Sequence, residues 1–312
     1  MYGFTGHVGF SEIAAAISGE ERSVGLLFGL VFLLTGLAFK ISAVPFHMWT
    51  PDAYEGAPTP ATSYMAVAVK SAAFAMMLRV LVHAFGDEAS MSWGTGWPPV
   101  MSALAILTMT VANLIAGQQE SVKRMLAYSS IAHAGYVLVG VVAMMDEKSG
   151  AQASILFYLL TYTVSTAGAF GALILCGSRG KEAVSYEDLA GIGKRHPAAA
   201  LAFSFFLLSL AGVPPTAGFF GKLYIVRASV GAGLNVLAVI LLLNSVLAAY
   251  YYLRVLVYMY MREPAPGAPI AVPMRSGYVA AALVIAAVAV ALLGLYPTRS
   301  LELAVDAALA TR

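Results

Sequence analysis

Cysteine is almost absent: Cys176 is the only one in 312 residues. A disulfide framework needs a pair and a protein-held iron–sulfur cluster about four thiolates, so both are excluded. Charge is scarce too, with Lys, Arg, Asp and Glu at 11% of the chain against about 25% in an ordinary soluble domain. The motifs of cofactor chemistry are missing. Gly221 and Lys222 are followed by Leu223 without the upstream glycine of a P-loop, and there is no G-x-G-x-x-G after a strand, no CxxC and no histidine cluster at metal spacing. No metal site is expected, and any redox centre the protein serves must lie elsewhere. The first 22 residues lack the basic and apolar regions of a signal peptide and carry Glu12, Glu20 and Glu21, so 1–22 reads as an extramembrane loop.

What the chain has instead is apolar length. Hydrophobic residues make up 60% and the mean hydropathy is +0.81. A helix needs about 20 predominantly apolar residues to cross a bilayer core. Such runs fall at 23–48, 59–82, 98–118, 122–144, 152–176, 198–229, 235–261 and 277–296. The chain reads as an all-α polytopic membrane protein of about eight transmembrane helices, with a membrane domain over 23–296 and an amphipathic surface tail over 297–312. In that tail Leu301, Ala304, Val305, Ala308 and Leu309 recur at helical spacing opposite Glu302 and Asp306.

Two of the runs are interrupted. Pro45 stands five residues after Lys40, and Gly212, Pro214 and Pro215 divide a sixth run too long for one straight span. Proline has no N–H and its ring clashes with the preceding turn. In lipid the freed backbone groups survive only where protein or water meets them. Paired interruptions in corresponding segments point to a transport site built from repeats. The registers differ, because Lys40 precedes its proline by five residues whereas Lys222 follows Pro214 by eight.

Charge inside these runs is the second signal. Lys70 lies nine residues before Arg79, about 13 Å along a helix at about 1.5 Å per residue. With Arg79 at the interface, Lys70 falls near the midplane, where a lysine costs roughly 2.5 to 3.5 kcal/mol on insertion scales. Lys40 and Lys222 lie beside the breaks, and the bland alternative for each lysine is snorkelling along its stem. His133 sits nine residues from Arg124 and thirteen from Asp146, beside Ser129, Ser130 and Tyr136. A satisfied core histidine is the competing explanation there, and His47 at the first break is equally open. His7, His83 and His196 fall in loops. All sixteen carboxylates, Asp52, Glu55 and Glu182 among them, fall in loops or at helix ends. The interior lysines therefore either deprotonate or pair with a carboxylate on another chain; both outcomes suit a proton relay.

Three stretches in order, FKISAVPFHMWTPDAYEGAPTP, KRMLAYSSIAHAGY and LAGVPPTAGFFGK, resemble subunit N of the proton-translocating NADH-quinone oxidoreductases, respiratory complex I, more than its sister subunits L and M. The resemblance implies an antiporter-like inverted-repeat fold with an incomplete first repeat: two of its helices, the full second repeat and a final helix, about six earlier helices being absent. It implies a proton relay through Lys40, Lys70, His133 and Lys222, with His47, Lys123 and Tyr136 as auxiliary groups. It also implies that FMN, the Fe-S clusters and quinone are handled by other subunits. The expected partners are the other membrane-arm subunits, the lipid bilayer, and an N-terminal half or extension supplying the glutamate that pairs with Lys40, with no nucleic acid. The expected place is the bacterial inner (cell) membrane. A subunit of a multisubunit cation/proton antiporter or membrane-bound hydrogenase, or a non-conducting structural fragment, remains the alternative.

Orientation follows from the loop charges. One alternate set of loops holds Lys123, Arg124, Arg179, Lys181, Lys194, Arg195, Arg254, Arg262 and Arg275; the other holds Arg22, Arg79, Lys148, Arg227, Arg299 and Arg312. The excess places the first set in the cytoplasm. Ser185 to Leu189, in the cytoplasmic 177–197 loop, reads as a short interfacial helix. Cysteines introduced at Lys194 and at Arg312 should therefore label from opposite sides of the membrane; labelling of both from one side rejects the eight-helix topology.

Overall fold

A computed structural model describes residues 2–17, 24–94, 96–177, 182–264 and 276–310. Arg22, Arg179, Lys181, Arg275 and Arg312, used above for orientation, lie outside the described residues, as do Glu20 and Glu21. The described part is helical apart from an isolated bridge between Ser121 and Ser185. Besides single helical turns at Tyr2–Thr5 and Ile192–Arg195, the helices are α1 (Phe10–Ile17), α2 (Val24–Ile41), α3 (Trp49–Gly56), α4 (Thr59–His83), α5 (Pro98–Ala116), α6 (Val122–Ala143), α7 (Ala151–Cys176), α8 (Tyr186–Leu189), α9 (Pro197–Ala211), α10 (Ala217–Gly231), α11 (Asn235–Met261), α12 (Gly277–Leu295) and α13 (Pro297–Ala310). Seven of them, α2, α4, α5, α6, α7, α11 and α12, are long and apolar enough to cross a membrane, and the broken pair α9 and α10 fills the place of the sixth run.

Burial sorts these helices into a centre and a rim. In α6 almost every residue from Val122 to Ala143 is buried. On α11 the buried positions Leu241, Asn244, Ala248, Tyr251 and Val255 alternate at three and four residues, while Leu242, Leu243, Val246 and Leu247 are exposed. That outer apolar stripe faces where lipid lies, since hydrocarbon demands the same side chains as a core. The close approach of α5 to α6 depends on Gly135, where an added Cβ would stand 2.6 Å from the Met109 backbone nitrogen.

Both broken helices end the same way. α2 stops at Ile41, four residues before Pro45, the position whose carbonyl the proline ring would strike. The first run therefore breaks earlier than a span over 23–48 implies, and the chain resumes as α3. Ser42 takes a left-handed backbone with φ of 64°, and Ala43 N–H donates to Ala38 O at 2.8 Å. Gly212 does the same at φ of 88°, with Val213 N–H donating to Leu208 O at 3.0 Å. These are matching Schellman caps. Measured from the left-handed residue, Pro45 and Pro215 occupy the same place, and both follow cis peptide bonds. The two breaks thus share a register that counting from Pro214 conceals.

Two other expectations need correcting. His83 is the last residue of α4 and not a loop residue, whereas Asp52 and Glu55 stand in the first and last turns of the short helix α3, at helix ends as expected. In α13, Ala308 is buried and Leu301 and Ala304 half-buried, whereas Val305 and Leu309 are exposed. α13 rests on α7 through the narrower stripe 301, 304 and 308, and the other two residues stand on its flank. The Ser185 to Leu189 stretch does form helix α8, opened by a capping box between Ser185 and Asp188.

Gly212→Ala should destabilise the protein by about 1–2 kcal/mol, the cost of a side chain in the left-handed region. The new Cβ would also stand 3.1 Å from Lys222 Cδ. Gly36→Ala, in α2 with open space around the missing Cβ, should be neutral or stabilising. Thermal unfolding in detergent checks the contrast, and equal losses at both sites would remove the role given to Gly212.

Candidate functional site

Helix α6 delivers Ser129, Ser130, His133 and Tyr136 to the centre of the bundle, each at most 4% exposed. Apolar helices surround it, so every polar atom on it must be met by a neighbouring side chain. Lys70 of α4 donates to Ser130 O at 2.6 Å and to Ser130 Oγ at 2.5 Å. Tyr162 of α7 donates to the same hydroxyl at 2.8 Å and lies 3.3 Å from Ala66 O. Ala66 belongs to a π-helical stretch, Met65–Val69, directly before Lys70. Such single wide turns leave carbonyls open and re-aim the following side chain.

One turn along α6, His133 stands between two phenols, with Nδ1 2.6 Å from Tyr158 OH and Nε2 3.1 Å from Tyr252 OH. Tyr252 OH also bonds Ser129 Oγ. The imidazole lies 5.1 Å from the ring of Tyr162, centroid to centroid, and meets Tyr136 edge-on at 5.5 Å. Lys222 of α10 sits over the other side of Tyr136, its Nζ 5.3 Å from the ring centroid. That is a cation–π distance. Lys222 Nζ donates to Ala211 O at 2.8 Å, the last carbonyl of α9, and to Ser245 Oγ at 2.9 Å. A cavity of about 10 Å³ beside His133, Tyr158, Tyr162, Ser165 and Ser209 is about the smallest that holds one water.

Chemically, a neutral imidazole between two hydroxyls can take a proton at one nitrogen and release one from the other. Two buried lysines, one bonded to Ser130 of the same helix and one over the ring of Tyr136, make the set able to hold and move protons. Of the four residues expected to form a relay, Lys70, His133 and Lys222 are buried around α6 and Lys40 is not among them. Hydroxyl and carbonyl oxygens of this chain accept from both lysines, and no carboxylate is among their partners in the described residues. Sequence reasoning missed Tyr158, Tyr162, Tyr251, Tyr252, Asn113, Asn244 and Ser245. Their only signal was polarity inside apolar runs, which a single sequence cannot separate from ordinary interface polarity.

Other predicted residues stand apart. Lys40, near the end of α2, is exposed and has no hydrogen-bond or ion-pair partner among the described residues. His47, in the first break, is half-buried with Nδ1 unbonded. Lys123 and Arg124, counted above as loop charges, form the first turn of α6 and are anchored. Lys123 is 2% exposed and donates to Glu182 Oε2 at 2.8 Å and to Ala57 O at 2.5 Å. Glu182 Oε1 accepts from Thr59 N–H at 2.8 Å. The pair therefore closes the end of α3 and the start of α4 at once, and Arg124 holds α3 through Asp52 and Glu55 at 2.6 and 2.9 Å.

Comparison with known proteins places this geometry. A model of the NADH:quinone oxidoreductase/Mrp antiporter membrane family matches residues 1–248. The chain is 72% identical to NADH-quinone oxidoreductase subunit N 1 of Sorangium cellulosum, covering 100% of this chain and 62% of that one. Among solved structures, a chain of respiratory complex I from Thermus thermophilus with bound Aureothin superposes with a TM-score of 0.79 at 35% identity, over 96% of this chain and 62% of that one. A chain of the archaeal membrane-bound sulfane sulfur reductase superposes at 0.84 and 28% identity, over 98% and 60%. The chain thus spans about six tenths of the length of these relatives.

The Glu182 clamp makes a pH prediction. Burial pushes its carboxyl up, but the bonds from Lys123 and Thr59 outweigh that and hold it below its ordinary 4.5. A carboxyl lowered by folding adds stability above the unfolded value, and that stability is lost as pH falls through the folded one. Glu182→Gln should destabilise the protein by about 1–3 kcal/mol near neutrality, because a buried lysine loses its partner. It should also flatten the loss of stability below pH 4.5. Unfolding temperatures of both proteins across that window read it; parallel curves would refute the clamp.

Proposed function

The chain belongs to the NADH:quinone oxidoreductase/Mrp antiporter membrane family, and we propose that it works as the antiporter-like, proton-translocating subunit N of an NADH-quinone oxidoreductase. The observation that carries this reading is the grouping of Lys70, His133 and Lys222. They come from three helices, all are buried, and each hydrogen-bonds serine or tyrosine hydroxyls, with no carboxylate among their partners in the described residues. Protons would enter or leave Lys70 beside Ser130, pass the imidazole of His133, and exchange at Lys222 on the second broken helix. Lys40 would join the relay where a further helix of the assembly covers its exposed side. FMN, iron–sulfur clusters and quinone belong, on this proposal, to partner subunits. Electron transfer there would alter ion pairing along the membrane arm and drive the proton steps here. The division into an extramembrane segment over 1–22, expected as a loop but carrying helix α1, a membrane domain over 23–296 and a surface tail over 297–312 is part of the same reading.

A second reading has one observation behind it, the likeness to the sulfane sulfur reductase chain at 28% identity. The same relay would then serve a related membrane-bound redox complex. The 72% identity to a subunit N favours the first.

Lys70 provides the test. In the assembled complex, Lys70→Ala should slow NADH-driven proton translocation on the order of 10²-fold, the lower end of what a positioned proton-transfer group contributes. Lys70→Arg should fail as well, since arginine keeps its charge but does not release its proton. Proton uptake into inverted vesicles, normalised to assembled complex, is the measurement. Full translocation by Lys70→Ala would return Lys70 to a packing role.

A further inference from the structure

The outer partners of His133 and of Lys222 come from one helix, α11. It presents two adjacent pairs, Asn244 with Ser245 and Tyr251 with Tyr252, seven residues apart, which is two helical turns. The second member of each pair meets a relay residue: Ser245 Oγ accepts from Lys222 Nζ at 2.9 Å, and Tyr252 OH bonds His133 Nε2 at 3.1 Å. The first member of each meets a single residue of α5. Asn113 Nδ2 donates to Asn244 Oδ1 at 3.2 Å, and Tyr251 OH donates to Asn113 Oδ1 at 2.9 Å. Asn113 Nδ2 also donates at 2.9 Å to the hydroxyl of Tyr136, whose ring lies between His133 and Lys222. Asn113, Asn244, Tyr251 and Tyr252 are each at most 3% exposed.

We propose that Asn113 is a positioning residue for the proton relay: it holds α11 in the one register in which Ser245 meets Lys222 and Tyr252 meets His133, so that these two contacts form and break together. The proposal rests on the relay reading above. A helix moves along its axis as a unit, so a slide of one turn, about 5.4 Å, carries both oxygens out of hydrogen-bond range at once. Asn113 opposes that slide at two points, two turns apart on the same face. A buried amide that only satisfies its own hydrogen bonds would stabilise the bundle without linking the two relay contacts.

The linkage is measurable in membranes carrying the assembled complex, as protons translocated per NADH oxidised across a pH series. Ser245→Ala and Tyr252→Phe should each lower the ratio, and the double variant should be no worse than the weaker of the two. Independent sites this far apart would multiply their effects to within about twofold. Asn113→Leu should shift the pH profile in the same direction as both. Asn113→Asp, which when protonated keeps a donor for Asn244 Oδ1 and an acceptor for Tyr251, should restore it. Effects that multiply overturn the proposal, and they do so even if Asn113→Leu fails to assemble, because the cycle leaves Asn113 in place. Lys222→Ala separates the two readings. If it leaves translocation intact the relay itself is wrong and the positioning role falls with it; if it stops translocation while the cycle multiplies, only the positioning role is lost.

Discussion

The structure depends on satisfying the polar groups of one helix that has no face toward water or lipid. An unpartnered hydroxyl or imidazole in such a place costs several kcal/mol, so Ser129, Ser130, His133 and Tyr136 of α6 dictate what their neighbours carry. α4 answers with Lys70, α7 with Tyr158 and Tyr162, α11 with Tyr252, and α5 with Asn113. Asn113 in turn bonds Asn244, which extends the polar set to Thr110. The functional site is in this sense the accounting of hydrogen bonds around α6.

The two helix breaks obey the same constraint at the level of the backbone. At the first, Val44 N–H donates to Thr108 Oγ1 at 3.0 Å, Trp49 Nε1 to Phe39 O at 3.2 Å, and Thr50 Oγ1 to Ser42 Oγ at 2.7 Å. At the second, Lys222 closes the end of α9 by donating to Ala211 O. The end of a helix concentrates partial negative charge, so a cation is the natural group to place there. Gly212 leaves room for the lysine stem to pass, its missing Cβ lying 3.3 Å from Nζ. The proline-rich break and the lysine ten residues later are therefore one device, the break creating the carbonyl end and Lys222 occupying it.

Much of this was readable in the sequence. Length and hydropathy located every span to within a few residues, except the end of α2, where the proline acts on the carbonyl four residues back. The depth of Lys70, His133 and Lys222 followed from their distance to loop charges. The partners did not follow. Tyr158, Tyr252 and Ser245 become neighbours of the relay only through packing between helices distant in sequence, and a single sequence carries no record of which helix faces which. Nothing in Met65–Val69 announces a π turn. Glu182 lay in a loop and gave no hint that it reaches the first turn of α6.

Where the carboxylates stand completes the physical account. Asp52, Glu55 and Glu182 gather where α3, α4 and α6 begin or end, and there they hold Arg124 and Lys123 in ion pairs. Farther along the same bundle Lys70 and Lys222 meet only neutral oxygens. The two arrangements suit different tasks. An ion pair at the membrane surface fixes geometry, because either partner left alone would be a stranded charge. Neutral acceptors orient an ammonium group equally well but add no opposing charge, and a hydroxyl can take back the hydrogen bond whichever partner supplies it. Among the described residues the chain places these counter-ions where α3 and α4 are anchored and leaves the buried lysines with neutral partners, an arrangement that suits the proposed relay, because a fixed counter-charge would hold the proton on the lysine.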